Sequence, residues 1–307
     1  MNVTRTKKLA AVLASAALAT SLAACNSDAT TSDTSSQSSA DRGAADKTIT
    51  LGFIPSWTDG LSTAYLLSNQ LEQLGYTVEM EELTEAGVLY TGLANGDVDI
   101  YPSAWSEVTH AEYMKKYGES IEDLGAYYDN AKLTWAVPAY SEIQSIADIP
   151  NYAEALDQRI IGIEPGAGLT KASLEQVMPT YGLEGDFELV TSSTSAMLAE
   201  LESATDDQEE IVVTLWRPFW ANSTYDMRDL EDPEGALGDA EALHFLGRDG
   251  FAEDYPDIAE FIAGIKLDDD QYGSLEDMVV NEYGEGKEAE AVQAWIDANP
   301  DAIEYDP

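Results

Sequence analysis

The chain has 307 residues, enough for one large or two medium domains, and 44% of them are apolar, as in a globular protein with a core. The 15 Lys and Arg against 58 Asp and Glu leave a net charge of −43, a surface that repels nucleic acid and excludes that class of partner. The lone cysteine, Cys25, excludes an internal disulfide and a cysteine metal cluster.

In chain order, Arg5, Lys7 and Lys8 precede a short Ala/Leu-rich run at 9–22 that is too short for a comfortable membrane span and has signal-peptide flanks. It ends in Leu22-Ala23-Ala24-Cys25, which resembles a bacterial lipobox. The expectation is a leader over 1–24 and lipidation at Cys25. A Ser/Thr/Asp/Ala-rich segment then completes a tether over 25–46, without aromatic residues or apolar periodicity. As a coil it spans about 25 Å, enough for an anchored domain to dock on a membrane partner.

Folded structure is expected from Lys47. Strands are predicted at 48–54, 77–83 and 97–101, with helices at 62–74, 87–95 and 110–117 between and after them. A strand at 133–138 leads to a second unit: strand 159–163, a Gly-rich turn, helix 171–181, strand 187–190, helix 195–202 and strand 211–215. A strand at 242–246 and acidic helices at 256–265, 268–282 and 288–299 close the chain. Strand–helix alternation argues for an α/β fold on parallel sheets, in two lobes, with a cleft at the carboxyl ends of the strands. The division is 47–134 for the first lobe, 135–241 for the second, and 242–307 returning to the first.

Three predicted strands each lead to a tryptophan: Trp57, Trp105 and Trp216. Singly each is an ordinary core aromatic, but the repeated placement suggests one cage. Indole faces select a large, weakly hydrated cation without hydrogen-bond donors, a quaternary ammonium, at about 0.5–2 kcal/mol per ring. Trp135 and Trp295 read as packing residues. The turn 162–169 (GIEPGAGL) opens a helix, where free N–H groups suit a small anion, but it lacks nucleotide-loop spacing. His110 falls in the loop after Trp105 and has the donor chemistry to meet a carboxylate, while His244, on a strand, reads as structural.

Trp57, the segment Ala104-Trp105-Ser106-Glu107-Val108-Thr109-His110, the turn 162–169 and Thr214-Leu215-Trp216-Arg217-Pro218-Phe219-Trp220 resemble the extracellular substrate-binding proteins of glycine betaine/proline betaine ABC transporters, with similarity from about 47 to 299. The resemblance implies a two-lobed, type II periplasmic-binding-protein-like fold and no enzymatic activity, cofactor or metal. It implies an osmoprotectant importer whose binding protein delivers glycine betaine, proline betaine or choline to a permease and its ATPase. On it, Trp57, Trp105 and Trp216 surround the trimethylammonium group, and His110 with the amides of Gly168 and Leu169 holds the carboxylate. Phe219 departs from the histidine many relatives carry there. Trp57-Thr58-Asp59 is similar to a motif of choline-binding relatives, whose acid faces the choline hydroxyl; an inward Asp59 would disfavour a carboxylate, and betaine ranks ahead of choline on His110 and the two amides.

The rivals are an enzyme, a carbohydrate receptor and a structural surface lipoprotein. Two separated histidines and a lone cysteine hardly supply a zinc site, and no Gly-x-Ser-x-Gly elbow occurs, although paired carboxylates for glycoside hydrolysis stay open among so many acids.

Overall fold

The computed structural model describes residues 47–303. The leader at 1–24, Cys25 and the tether to 46 lie outside the described residues. The chain opens with β1 (Thr48–Phe53), α1 (Thr58–Gln73), β2 (Thr77–Glu82), α2 (Ala86–Asn95), β3 (Ile100–Ala104) and α3 (Ala111–Tyr117). The long β4 (Ile121–Pro138) precedes a 3-10 turn at Ile146–Tyr152 and β5 (Arg159–Ile161). Next come α4 (Gly168–Ala172), which continues through a π turn into α5 (Met178–Thr180), then β6 (Glu188–Val190), α6 (Thr194–Asp207), β7 (Val213–Arg217), α7 (Ala221–Thr224) and β8 (Met227–Asp229). The chain ends with β9 (Glu241–Arg248), α8 (Phe251–Asp254), α9 (Pro256–Gly264), α10 (Asp269–Asp277) and α11 (Glu288–Ala298).

The strands form the order β2-β1-β3-β9-β4, then β4-β7-β5-β6, with β8 beside β4. The first lobe is built on the former group and the second on the latter. Within each lobe the strand–helix–strand units pair in parallel: β1 with β2 and β3, β5 with β6 and β7. The expectation of parallel sheets is corrected at the centre, where β9 lies antiparallel to β3 and β4, and β7 antiparallel to β4. Strand β4 is shared between the two groups: Ile121 to Ala131 pairs with β9 and Lys132 to Ala136 with β7.

Local chemistry explains most elements. β1 buries Ile49, Leu51 and Phe53, and Gly52 between them leaves room for α2, since a Cβ there would lie 2.8 Å from Leu89 and Val98. Helix α2 stops at Gly96, whose left-handed φ of 76° caps it with an N–H to the Gly92 and Leu93 carbonyls. Helix α1 begins four residues earlier than predicted, at Thr58, with Asp59 in its first turn where an acid complements the helix dipole. Strand β3 starts later than predicted, at Ile100; the Asp99 carboxylate just before it accepts from the Thr50 amide at 2.9 Å and from Arg248 at 2.7 Å. The predicted strand at 133–138 is the second half of β4. Its first half contains Gly125 at φ 120° and three register shifts, so bulges bend it and its side chains do not alternate cleanly. The C-terminal helices return to the first lobe, where Trp295 is fully buried and donates to Ser274 Oγ at 2.9 Å.

Candidate functional site

Trp105 follows β3 directly and Trp57 takes the position before α1, so both leave the parallel strands of the first lobe at their carboxyl ends. Trp216 does not follow a strand as predicted; it lies within β7 opposite Leu133 and reaches the same region from the second lobe. All seven predicted ligand residues, Trp57, Asp59, Trp105, His110, Gly168, Leu169 and Trp216, line one cavity between the lobes. Thr109, Leu133, Ile163 and Ala167 complete the wall, and nothing local in the sequence distinguishes these from neighbouring core residues.

Each indole is held differently. Trp105 Nε1 donates to Asp59 Oδ2 at 3.1 Å, and the same oxygen accepts from Ser103 Oγ at 2.9 Å. Ser103 in turn accepts from the Tyr127 hydroxyl at 2.8 Å. Trp57 Nε1 donates across the cleft to Glu164 Oε2 at 3.2 Å, and its ring stacks on His110 at 6.0 Å and 22°. Trp216 is 4% exposed, and its Nε1 has no acceptor among the described residues. Its ring stacks on Phe219 at 4.1 Å and 27°, so Phe219 backs Trp216 and does not itself line the cavity. A cis Arg217–Pro218 peptide separates the two residues, and Asn222 Nδ2 ties the segment down by donating to the Trp216 and Phe219 carbonyls at 2.9 Å.

His110 is buried, and burial pushes its pKa down to about 3, so the imidazole is neutral. Its Nδ1 meets the Tyr90 hydroxyl at 3.2 Å, and Tyr90 stacks on Tyr113 at 4.9 Å. The loop bearing it is held by Glu241 at the start of β9, which accepts the amides of Glu107, Val108 and Thr109 and the Thr109 hydroxyl. Asp59 is buried as well. Desolvation raises its pKa, while the donors from Trp105 and Ser103 act in the opposite sense.

The Gly-rich turn fits the opposite wall closely. Gly168 opens α4, three residues earlier than predicted, and the first amides of a helix have no carbonyl partner within it. A Cβ on Gly168 would lie 2.3 Å from the Thr109 carbonyl oxygen, and one on Gly166 2.3 Å from Glu85 Oε2. Neither φ is positive; at Gly168 glycine is required by the approach of first-lobe backbone, whereas at Gly166 the neighbour is the end of a flexible side chain that can swing away. Tyr113 Oη donates to the Gly166 carbonyl at 3.0 Å across the same seam. Glu164 and Glu241 are the supports that sequence reasoning missed, because one acid among 58 carries no local mark.

The other singled-out residues are structural. Trp135 is fully buried and donates to Ser173 Oγ at 2.9 Å, and His244 lies between Asp123 and Glu107 at 3.0 and 3.3 Å. Among the described residues no group of three or more His, Cys, Asp and Glu could hold a metal ion, and no helix is long and apolar enough to cross a membrane.

Residues 47–298 match the family described as the substrate-binding domain of ABC-type glycine betaine transport systems, OpuAC. A glycine betaine/carnitine transport binding protein of Listeria monocytogenes, GbuC, is 36% identical over 154 residues, which are 49% of this chain and 49% of that protein. The match thus spans about half the length of that relative. Lactococcal OpuAC, in its closed-liganded conformation with glycine betaine, superposes with a TM-score of 0.77 at 29% identity over 84% of this chain and 98% of that one. An ABC-transporter choline-binding protein in complex with choline gives 0.75 at 27% identity over 84% and 90%. The fold is therefore the two-lobed type II periplasmic binding protein fold, with the cavity in the cleft.

Proposed function

The chain belongs to the family of substrate-binding domains of ABC-type glycine betaine transport systems, and on that premise we propose that it captures glycine betaine or a related quaternary ammonium osmolyte, such as proline betaine, outside the cell and delivers it to a membrane permease driven by an ATPase. The observation that carries the reading is the convergence of Trp57, Trp105 and Trp216, from three separate elements, on one buried cavity. A trimethylammonium group has no N–H to donate, so it loses less than a protonated amine when it leaves water for indole faces. Three rings at about 0.5–2 kcal/mol each supply a substantial part of the roughly 8 kcal/mol of micromolar binding.

In this reading the carboxylate of betaine meets His110 and the amides of Gly168 and Leu169. A neutral imidazole that accepts the Tyr90 hydroxyl at Nδ1 carries its proton at Nε2, a donor for that carboxylate. The first lobe (47–134 and 242–307) presents Trp57 and Trp105; the second (135–241) closes over the ligand with Trp216 and the Gly168 turn. Lipidation at Cys25 and the tether to 46 would keep the domain at the outer face of the bacterial cytoplasmic membrane, near its permease.

A second reading, choline, rests on Asp59, whose carboxylate lines the cavity beside Trp105 and opposes a ligand carboxylate. Calorimetric titration with glycine betaine and then choline tests both. Tight betaine with weak choline is the expected result, the reverse assigns specificity to Asp59, and silence with both ligands overturns the proposal.

A further inference from the structure

Among the acids near the cavity, Glu164 stands apart because its donors come from both lobes. It lies in the turn between β5 and α4 of the second lobe, and it is 6% exposed. From its own lobe it accepts the Thr194 amide and hydroxyl, each at 2.9 Å. From the first lobe it accepts Ser56 Oγ and Trp57 Nε1, each at 3.2 Å. Its backbone is equally fixed: the carbonyl takes the Ala167 amide at 3.0 Å and Thr170 Oγ1 at 2.8 Å. No Lys, Arg or His is paired with this carboxylate among the described residues.

A buried carboxylate without a counter-ion is tolerated when donors saturate its oxygens, and such charge-assisted hydrogen bonds are strong. Separation of the lobes would remove the Ser56 and Trp57 donors, leave both Thr194 donors in place and admit water to the carboxylate. The open form therefore loses little stability, whereas the closed form depends on the Ser56–Trp57 segment being seated. Because the Trp57 N–H is the donor, the same bond fixes the rotation of the indole about its side-chain bonds. Asp59 does this for Trp105 from within one lobe and has no such dependence on closure.

We propose that Glu164 is a positioning residue, a clasp between the lobes that seats Trp57 in the closed cleft and so sets how slowly bound ligand leaves. The proposal rests on the quaternary ammonium reading above. The test is stopped-flow binding and release of glycine betaine and choline by wild type, Glu164→Gln, Ser56→Ala and the double variant. Gln keeps the volume but loses the charge and replaces one acceptor by a donor. Glu164→Gln is expected to speed release about tenfold, the change expected for one charge-assisted hydrogen bond. Association should stay within about threefold, and the unliganded unfolding midpoint should fall only by what the Thr194 contacts lose, because the Ser56 and Trp57 bonds are unmade in the open form. Ser56→Ala should speed release less, and should add less in the Glu164→Gln background than it does alone. A folded Glu164→Gln protein that releases ligand at the wild-type rate would overturn the clasp, as would additive effects of the two substitutions. If Glu164→Gln does not fold, Ser56→Ala alone decides: faster release supports the clasp and an unchanged rate sinks it. Failure of wild type to bind either ligand would instead remove the functional reading on which the clasp rests.

Discussion

On the first-lobe side of the cavity each indole nitrogen meets a carboxylate, Asp59 for Trp105 and Glu164 for Trp57. On the second-lobe side Trp216 meets none and is held by its stack against Phe219. Hydrogen bonds are directional and set a ring's rotation, whereas stacking holds a plane and leaves its edge undetermined. The Trp105 half of the proposed cage is therefore assembled within its own lobe, down to the Ser103–Tyr127 pair behind Asp59. The Trp57 half needs the opposite lobe, and Trp216 arrives with the β7 strand that carries it. On the proposed function, one side orients ligand before closure and the other completes the enclosure.

Removing the second-lobe ring should break this arrangement most severely. Trp216→Ala is expected to lower affinity for the quaternary ammonium ligand about a hundredfold, through one cation–π partner and the apolar area it covers, with the fold preserved. Calorimetry alongside a thermal melt checks both halves of the statement. Gly168→Ala attacks closure itself: its Cβ would lie 2.3 Å from the Thr109 carbonyl oxygen, backbone that cannot swing away. At least about a tenfold loss of affinity is expected, while the unliganded melting temperature stays near wild type because the clash exists only across the seam. An unchanged affinity would mean that the cleft closes less tightly in solution.

A smaller effect separates the two ends of the ligand. His110→Ala should weaken betaine about tenfold more than choline, the lower end of the range for one hydrogen bond to a charged group. Equal effects on both ligands, read by competition titration, would remove the carboxylate role.

The smallest expected effect concerns a carboxylate beneath the cage. Glu276 on α10 is buried, accepts the Thr58 hydroxyl and the backbone amide of Trp220, and is pushed up to about 8 by burial, with Asp59 and Asp277 adding to the rise. Its pKa in the unfolded chain is near 4.5. The native state thus binds more protons than the unfolded one between these values, and this group makes stability fall as pH rises from about 4.5 to about 8. Glu276→Gln should flatten that slope in unfolding midpoints measured across the window. A variant that keeps the wild-type slope would assign the slope to other groups.

Much of this was legible before folding. The strand expected at 48–54 and the helix expected at 87–95 correspond to β1 and α2 within a residue or so, because both signals are local. The first half of β4 was not legible, since Gly125 and the bulges that follow break the period on which a strand is recognised. Trp216 was placed just past a strand because Pro218 reads as a breaker, yet β7 pairs with β4 as far as Arg217.

What the sequence by itself determined was the α/β class, the three tryptophans, His110 and the glycines of the turn, since aromatic and glycine positions at strand ends can be read within a dozen residues. What the tertiary structure decided was which acids support them. Asp59 and Trp105 are 46 positions apart, and Trp57 and Glu164 are 107 apart. In a chain with 58 acidic residues, local context does not tell a solvated carboxylate from a buried anchor. That distinction arises from desolvation and the donors brought around each oxygen, within one lobe for Asp59 and across both for Glu164, and both exist only once the chain has folded.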